Sequence, residues 1–459
     1  MNQGFERRYG LLTAICMVVG IVIGSGVFFK AQTILQATNG NMPLGILAWI
    51  IGGVIMLVCS LAFATMATKY EKVNGIVDYA EATVGHKYAY FIGWFMTTIY
   101  YPTLTSVLAW LSARYTLVFI QSCNPVGLKD LDPVTGPECM VLTLFFLCAA
   151  YFVNAISPRL AGKFQVSTTV IKLIPIFLMA IVGTIIGLHS GMTKYNFTHY
   201  VNKSSSGGLF AAIIAASFAY EGWIIATSIN AELKNAKKNL PLALVAGTFV
   251  IMAVYVLYYI GIAGTVKNEV MMAGGEEGAK LAFEKVFSSA GGTLLFVLVV
   301  ISCLGTLNGL MMGCSRGIYS LAARGNGPKP EIFSQIDPTT NMPVNSAIFS
   351  VLLCAIWLFY FYGANLTDGW FGFFDFDSSE LPIVTVYALY IPIFINFIRK
   401  EKDLSVFKRF IMPCISLASC VFMIIAACIS HKTAVIAFLI VFAVVMAIGA
   451  LLTLRRKIS

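Results

Sequence analysis

Stretches of about twenty predominantly apolar residues, the length a helix needs to cross a hydrocarbon core, recur along this chain from one end to the other. That repeat leaves little choice of fold, because backbone in lipid must satisfy its own hydrogen bonds and a helix does so within each segment. Only 11% of the 459 residues are charged, against about 25% in a soluble domain. Too few polar side chains remain to cover a water-facing surface, so residues 1–459 are expected to form a single all-α membrane domain. The first apolar stretch has no small-residue cleavage site and reads as a true span, not as a signal peptide.

Spans are expected near 11–33, 43–68, 88–120, 139–157, 165–189, 207–231, 240–265, 291–320, 343–362, 379–398, 407–430 and 432–454. Twelve spans put both termini on one side. Arg7, Arg8, Lys69, Lys72, Lys87, Arg159, Lys163, Lys234, Lys237, Lys238, Arg316, Arg324, Lys329, Arg399, Lys400, Lys402, Lys408, Arg409, Arg455, Arg456 and Lys457 fall on that side. The other side holds Lys30, Lys129, Lys194, Lys203, Lys267, Lys280, Lys285 and Lys432, so the division is 21 against 8. The positive-inside bias then makes both termini cytoplasmic, and the net charge of +10 reads as membrane anchoring, not as a nucleic-acid surface. The last two spans are separated only by a short turn at His431, and the amphipathic 266–290 segment is either a helical lid over the entrance or a surface loop.

Two spans carry breaks. Span 1 holds Gly20, Gly24, Ser25 and Gly26, and glycines flanking a serine at membrane depth invite unwinding. Span 6 holds Phe218-Ala219-Tyr220-Glu221-Gly222-Trp223, a glycine beside a charge. Positions 24 and 221 lie thirteen and fourteen residues into spans starting near 11 and 207. Matched interruptions in the first helix of each half point to a transporter's binding site. Free N–H groups there attract a carboxylate and free carbonyls an ammonium, so one zwitterion satisfies both. The competing explanation for Gly24-Ser25-Gly26 is close helix packing through small residues.

Charges inside spans carry the next signal. Lys172 lies seven residues past Gln165, about 10 Å into span 5. An ammonium there can hydrogen-bond the unwound carbonyls of span 1, or snorkel to the headgroups. Glu221 is a proton carrier, a partner for a substrate amine or a gate element, or a carboxyl kept neutral or paired in a wet cavity. Arg114 reads as snorkelling to the interface, and Glu232 with Lys234 as a surface ion pair. His86, His189, His199 and His431 fall in loops or at membrane edges, and no metal or nucleophile constellation appears. Neither an enzyme nor a cofactor is expected.

These motifs resemble the amino acid–polyamine–organocation superfamily, and within it the L-type amino-acid transporter branch. The resemblance runs through most of the chain: Gly-Ser-Gly-Val-Phe at 24–28, Asp78-Tyr79-Ala80-Glu81-Ala82 with Gly85, and the 218–223 motif. It continues through Glu232-Leu233-Lys234-Asn235, Asn239-Leu240-Pro241, Ser315-Arg316, Ala323-Arg324-Gly325 and Pro343. It implies a twelve-helix, five-plus-five inverted-repeat (LeuT-like) fold, with repeats near 11–189 and 207–398, extra helices near 407–454, and broken helices 1 and 6. It also implies a sodium-independent amino-acid carrier of the plasma membrane working by alternating access. The Gly24–Gly26 backbone (Gly24, Ser25, Gly26) would bind the substrate carboxylate, with Ile23 and Val27 beside it in the substrate site. Phe218, Ala219, Tyr220, Glu221 and Gly222 would surround its amine, with Phe218 as an aromatic lid. Lys172 falls where this branch keeps a lysine tied to the first helix. Most of the branch exchanges neutral amino acids and some relatives are proton symporters, so exchange leads and proton symport is the alternative. A receptor that binds without transporting has less behind it, because no signalling domain is evident.

The chain departs from the branch at Gly75-Ile76, where a pair of glycines is usual, and in its short N-terminus, which favours a prokaryotic source. In animal relatives a cysteine placed like Cys123 links to a heavy subunit. With Cys139 nearby, an internal bridge or free thiols are expected here, and no heavy subunit. Sequons at Asn196, Asn202 and Asn365 read as chance. Pocket residues of spans 3, 8 and 10, such as Asn308 and Tyr387, are expected to size the substrate side chain.

Overall fold

A computed structural model describes residues 6–70, 74–123, 130–199, 208–274, 276–288, 290–367 and 369–458. Lys72, Lys129, Lys203 and the Asn202 sequon lie outside them. Among the described residues eleven helices are long and apolar enough to cross a membrane: Met42–Lys69, His86–Cys123, Pro137–Ile156, Pro158–Ser190, Gly208–Glu232, Ala236–Ala263, Gly291–Ala322, Val344–Leu366, Leu381–Lys400, Phe407–His431 and Thr433–Thr453. The expected first span is split into Leu11–Val22 and Gly26–Ala37, each too short to cross alone. The final pair are separate helices, parted at Lys432 by a left-handed φ of 45°. Among the described residues the only β pairing is an isolated parallel bridge between Tyr9 and Leu233.

The helices sort into a buried core and a lipid-facing shell. Gly208–Glu232, Gly291–Ala322 and His86–Cys123 have 78%, 72% and 67% of their most apolar window buried, whereas Thr433–Thr453 has 17% and Pro137–Ile156 has 28%. A helix apolar all round is either buried or bathed in lipid, and both kinds occur here. Gly291–Ala322 reaches the centre because three glycines four residues apart let three neighbours close in. A Cβ on Gly305 would lie 2.5 Å from Thr168 Oγ1, one on Gly309 2.3 Å from Ile21 Cγ1, and one on Gly313 2.6 Å from Ile225 Cγ2. Small residues on one face replace the hydrophobic drive that lipid cannot supply.

Several expectations change. Span 5 starts at Pro158, seven residues early, because Ser157 caps it by accepting from Leu160 N at 3.2 Å. Lys172 therefore sits fourteen residues into the helix, about 21 Å along its axis. Glu232 is not in a surface pair with Lys234. It is fully buried and receives Arg316 Nε at 2.5 Å, so Arg316 is no headgroup anchor either. Arg324 likewise pairs with the buried Asp78. The 266–290 segment contains helices Asn268–Gly274 and Glu276–Phe287. They dock on the Gly26–Ala37 half-helix, where Gln32 and Gln36 donate to Met272 O at 3.1 and 2.7 Å, and none of their residues lines the clefts described below. All eleven cysteines are free thiols, Cys139 buried and Cys123 exposed, so the internal bridge does not form. Asn196 is fully buried and donates to Ala263 O and Val266 O at 2.6 and 2.8 Å, which leaves no amide for a glycan.

Removing one partner of a buried ion pair strands the other charge, at a cost of about 3–5 kcal/mol. Arg316→Met should therefore lower the unfolding temperature in detergent sharply. The double variant Glu232→Gln/Arg316→Met should recover most of that loss; no recovery would show that the pair is not its source.

Candidate functional site

The first helix stops at Val22, turns at Ile23 with φ −76° and ψ 86°, and restarts at Gly26. A helix end leaves its last carbonyls and the next helix's first N–H groups without intrahelical partners. The carbonyl side is satisfied by side chains from two other helices. Lys172 Nζ, fully buried, donates to Gly20 O at 2.6 Å and to Ile23 O, and lies 3.4 Å from Ser302 O. Ser302 Oγ donates to Ile23 O or Gly24 O at 3.0 and 3.2 Å, and Thr306 Oγ1 to Gly20 O at 3.1 Å. The N–H side belongs to the first turn of the restarted helix, at Gly26 and Val27. Both glycines are seated tightly: a Cβ on Gly24 would meet Thr306 Oγ1 at 3.2 Å, and one on Gly26 would meet Ala219 Cα at 3.2 Å.

The second break faces the first. Helix Gly208–Ala219 ends, Tyr220–Gly222 form a turn, and a 3-10 helix runs from Trp223 to Glu232. Gly222 has φ +107° and its Cβ position lies 2.7 Å from Ile21 Cγ2, so a side chain is excluded by conformation and by space. Tyr255 OH stands 3.0 Å from Val22 O and 2.9 Å from Ala219 O, which ties the two interruptions to one hydroxyl. Glu221 Oε1 accepts from Tyr100 OH, while Oε2 has no hydrogen-bond partner among the described residues. Tyr387 and Tyr390 stand close enough to that carboxyl to interact electrostatically.

Between the breaks lies a narrow cavity. Gly24, Ser25, Gly26, Phe218, Ala219, Glu221 and Gly222 line it, with apolar walls from Leu104, Leu108, Leu111, Leu310 and Ile383. Ile23, Val27 and Tyr220 do not line it; all three are buried in the core, and Tyr220 OH donates to Trp49 O at 3.0 Å. Asn308 is also elsewhere, bonded to Ala161 O and Gln165 Oε1 at 3.1 and 2.9 Å, and its helix lines the cavity with Thr306 and Leu310. The sequence reading missed Tyr255, Ser302 and Thr306. Their hydroxyls in apolar spans were the available signal, though nothing in one sequence gives their facing.

A second cleft of about 1,050 Å³ shares Ser25, Gly26, Leu111 and Phe218 with the cavity. Phe218 thus stands between the two, with Lys30 Nζ 4.5 Å from its ring centroid and 3.5 Å from Glu380 Oε1. Arg114 also lines this cleft, its guanidinium 5.4 Å from the rings of Trp110 and Tyr115, so it faces the cleft instead of snorkelling. Among the described residues no cluster of three histidine, cysteine or acidic side chains can hold a metal.

Comparison with known proteins agrees with this architecture. The amino acid permease family profile matches residues 9–451. The serine/threonine exchanger SteT of Bacillus subtilis is 30% identical over 394 residues, covering 86% of this chain and 83% of that one. The human b(0,+)-type amino acid transporter 1 is 25% identical over 434 residues, covering 94% and 85%. The human cystine/glutamate transporter is 26% identical over 358 residues, covering 77% and 68%. These relatives are transporters and not enzymes. With eleven apolar helices and a profile match over nearly its whole length, the chain belongs to the amino acid permease family of the amino acid–polyamine–organocation superfamily, in its L-type transporter branch.

Proposed function

We propose that this amino-acid transporter is a sodium-independent exchanger of neutral L-amino acids that works by alternating access. The architecture behind it is a twelve-helix, five-plus-five inverted repeat (LeuT-like), with the split first helix counted as one span. Its repeats run near 11–189 and 207–398, with two further helices near 407–454. Both termini lie in the cytoplasm, the chain sits in the plasma membrane, and no heavy subunit is required. Equal first halves of the two broken helices, Leu11–Val22 and Gly208–Ala219 at 12 residues each, support the repeat.

The observation that carries sodium independence is Lys172 on the carbonyls of Gly20 and Ile23. Those are the acceptors a bound cation would need, and a covalently attached ammonium already uses them. The substrate carboxylate then docks on the backbone of Gly24–Gly26, which lines the cavity at the head of the restarted helix, where the half-helix dipole favours an anion. Its ammonium meets the carbonyls about Phe218–Glu221, and Phe218 closes the site. Leu104, Leu108, Leu310 and Ile383 surround the side chain, and apolar walls favour an uncharged one. Exchange is named for the SteT relative. Proton symport is the second reading, and the Glu221 oxygen without a partner favours it.

Proteoliposomes preloaded with mixed amino acids, in sodium-free buffer, separate these readings. Uptake should require internal amino acid, ignore a pH gradient, and persist when choline replaces sodium. Uptake into empty vesicles that rises with the proton gradient would instead place Glu221 in a symport cycle. Gly26→Leu, which must push Ala219 aside, should bind no substrate; wild-type affinity there would remove the carboxylate assignment. Lys172→Ala removes the charged donor from Gly20 O and Ile23 O and leaves them only the hydroxyls of Thr306 and Ser302, so transport per folded molecule should fall at least about tenfold. An unchanged turnover number at equal reconstitution would show that the ammonium plays no part in the cycle.

A further inference from the structure

At the end of the molecule where Glu232 meets Arg316, a separate concavity of about 1,210 Å³ opens at the surface. Arg7, Arg8, Arg159, Lys163 and Lys234 line it, and Glu6 is the one carboxylate among its lining residues. Three separate chain segments deliver these cations. Arg159 and Lys163 lie one turn apart at the start of helix Pro158–Ser190, an arrangement that repels within the helix. Lys234 is drawn in by backbone pairing, with Lys234 N donating to Tyr9 O and Arg8 N to Glu232 O, both at 2.9 Å. Tyr9 forms the floor: its hydroxyl donates to Pro158 O at 2.9 Å, and its ring packs where a Cβ on Gly162 would lie 2.8 Å away.

Arg159, Lys163 and Lys234 are exposed and make no ion pair among the described residues. Like charges gathered in one concavity repel each other unless an anion joins them. Leu160 and Phe164 directly follow Arg159 and Lys163, and Leu12 lies four residues after Arg8; all three are exposed, at 53%, 37% and 64%. An inorganic anion would use only the first of these features. A molecule with an anionic head and hydrocarbon tails uses both.

We propose that this concavity binds the headgroup of one anionic phospholipid, with its acyl chains along Leu12, Leu160 and Phe164. Arg159, Lys163 and Lys234 hold the phosphate, as charge-assisted donors do, while Arg8 stays paired with Glu6 at 3.3 Å. The lipid bridges the Leu11–Val22 half-helix, through the segment that precedes it, to the helix that carries Lys172. This goes beyond the transport reading and does not depend on which amino acid is carried. Basic residues that serve only as dispersed anchors, such as Lys237, Lys238 and Lys408, lie outside the concavity.

The test compares lipid retention by native mass spectrometry, using the full chain titrated with phosphatidylglycerol or phosphatidylcholine in detergent. One phosphatidylglycerol should bind in clear preference to phosphatidylcholine. The variant Arg159→Ala/Lys163→Ala/Lys234→Ala should weaken it roughly a hundredfold, each cation near an anionic lipid being worth a factor of about five. The variant Lys237→Ala/Lys238→Ala/Lys408→Ala removes the same charge outside the concavity and should leave affinity unchanged. Equal loss in both variants would replace the site with diffuse electrostatics, and no lipid preference would abolish it. Displacement by millimolar inorganic phosphate would make it a free-anion site and overturn the lipid assignment. Should the first triple variant unfold, the single Lys163→Ala still reads the proposal as a fivefold loss, with Lys163→Arg expected to restore binding.

Discussion

One ammonium makes the broken first helix affordable in hydrocarbon. Stopping a helix at Val22 strands carbonyls that lipid cannot hydrate, and burying Lys172 strands a charge that lipid cannot solvate. Either feature alone costs several kcal/mol. Placed against each other they cancel much of that cost, with Gly20 O and Ile23 O accepting from Nζ while Ser302 and Thr306 bond the same stretch of backbone. The arrangement is directional as well. It ties down carbonyls of the break, while the N–H groups at the head of Gly26–Ala37 have no partner within their own helix.

The rest of the core serves that placement. Gly305 brings Thr168, one turn from Lys172, against helix Gly291–Ala322, and Gly309 of the same helix admits Ile21 beside the break. Tyr255 reaches between the two interruptions from a third helix. Its hydroxyl has one proton and can donate to only one carbonyl at a time, so Val22 O and Ala219 O share a donor. Displacing either interruption alone would leave that shared oxygen badly placed for one of them.

How much of this was legible follows from what hydropathy can and cannot encode. Apolar runs are set by composition, and eleven of the expected spans coincide with apolar helices to within a few residues, except at Pro158. There a capping serine and a proline start the helix among charges, where a hydropathy reading begins too late. Breaks are written in glycine, and the interruptions at 23–25 and 220–222 fall where glycine meets serine or glutamate. Facing is not written in the same way. Gly291–Ala322 is apolar on every side, so nothing in the run told Asn308, which joins a polar network with Gln165, from Leu310, which lines the cavity. Glu232 failed for a related reason: a carboxylate at a span end looks like surface unless its partner is known, and Arg316 lies 84 residues away.

The two ends of the cavity differ, and on the exchange reading that difference has a purpose. Towards Lys30 the cavity is bounded by one aromatic ring and a cation resting on it. Around Glu232 the protein is held closed by a buried ion pair, by the Tyr9–Leu233 bridge and by Arg324 on Asp78, none of which lines the cavity. Opening the sealed end means exposing or breaking groups whose unpairing costs about 3–5 kcal/mol for the buried pair alone. A ligand shifts such an equilibrium only by the difference in its affinity for the two states. A zwitterion held by donors of one break and acceptors of the other grips both halves at once, and its binding can offset the unpairing as they rearrange. An empty site, with those groups facing a narrow apolar cavity, offers no comparable return. On the exchange reading proposed above, such a carrier would cross loaded and stall empty, the asymmetry that obligatory exchange requires.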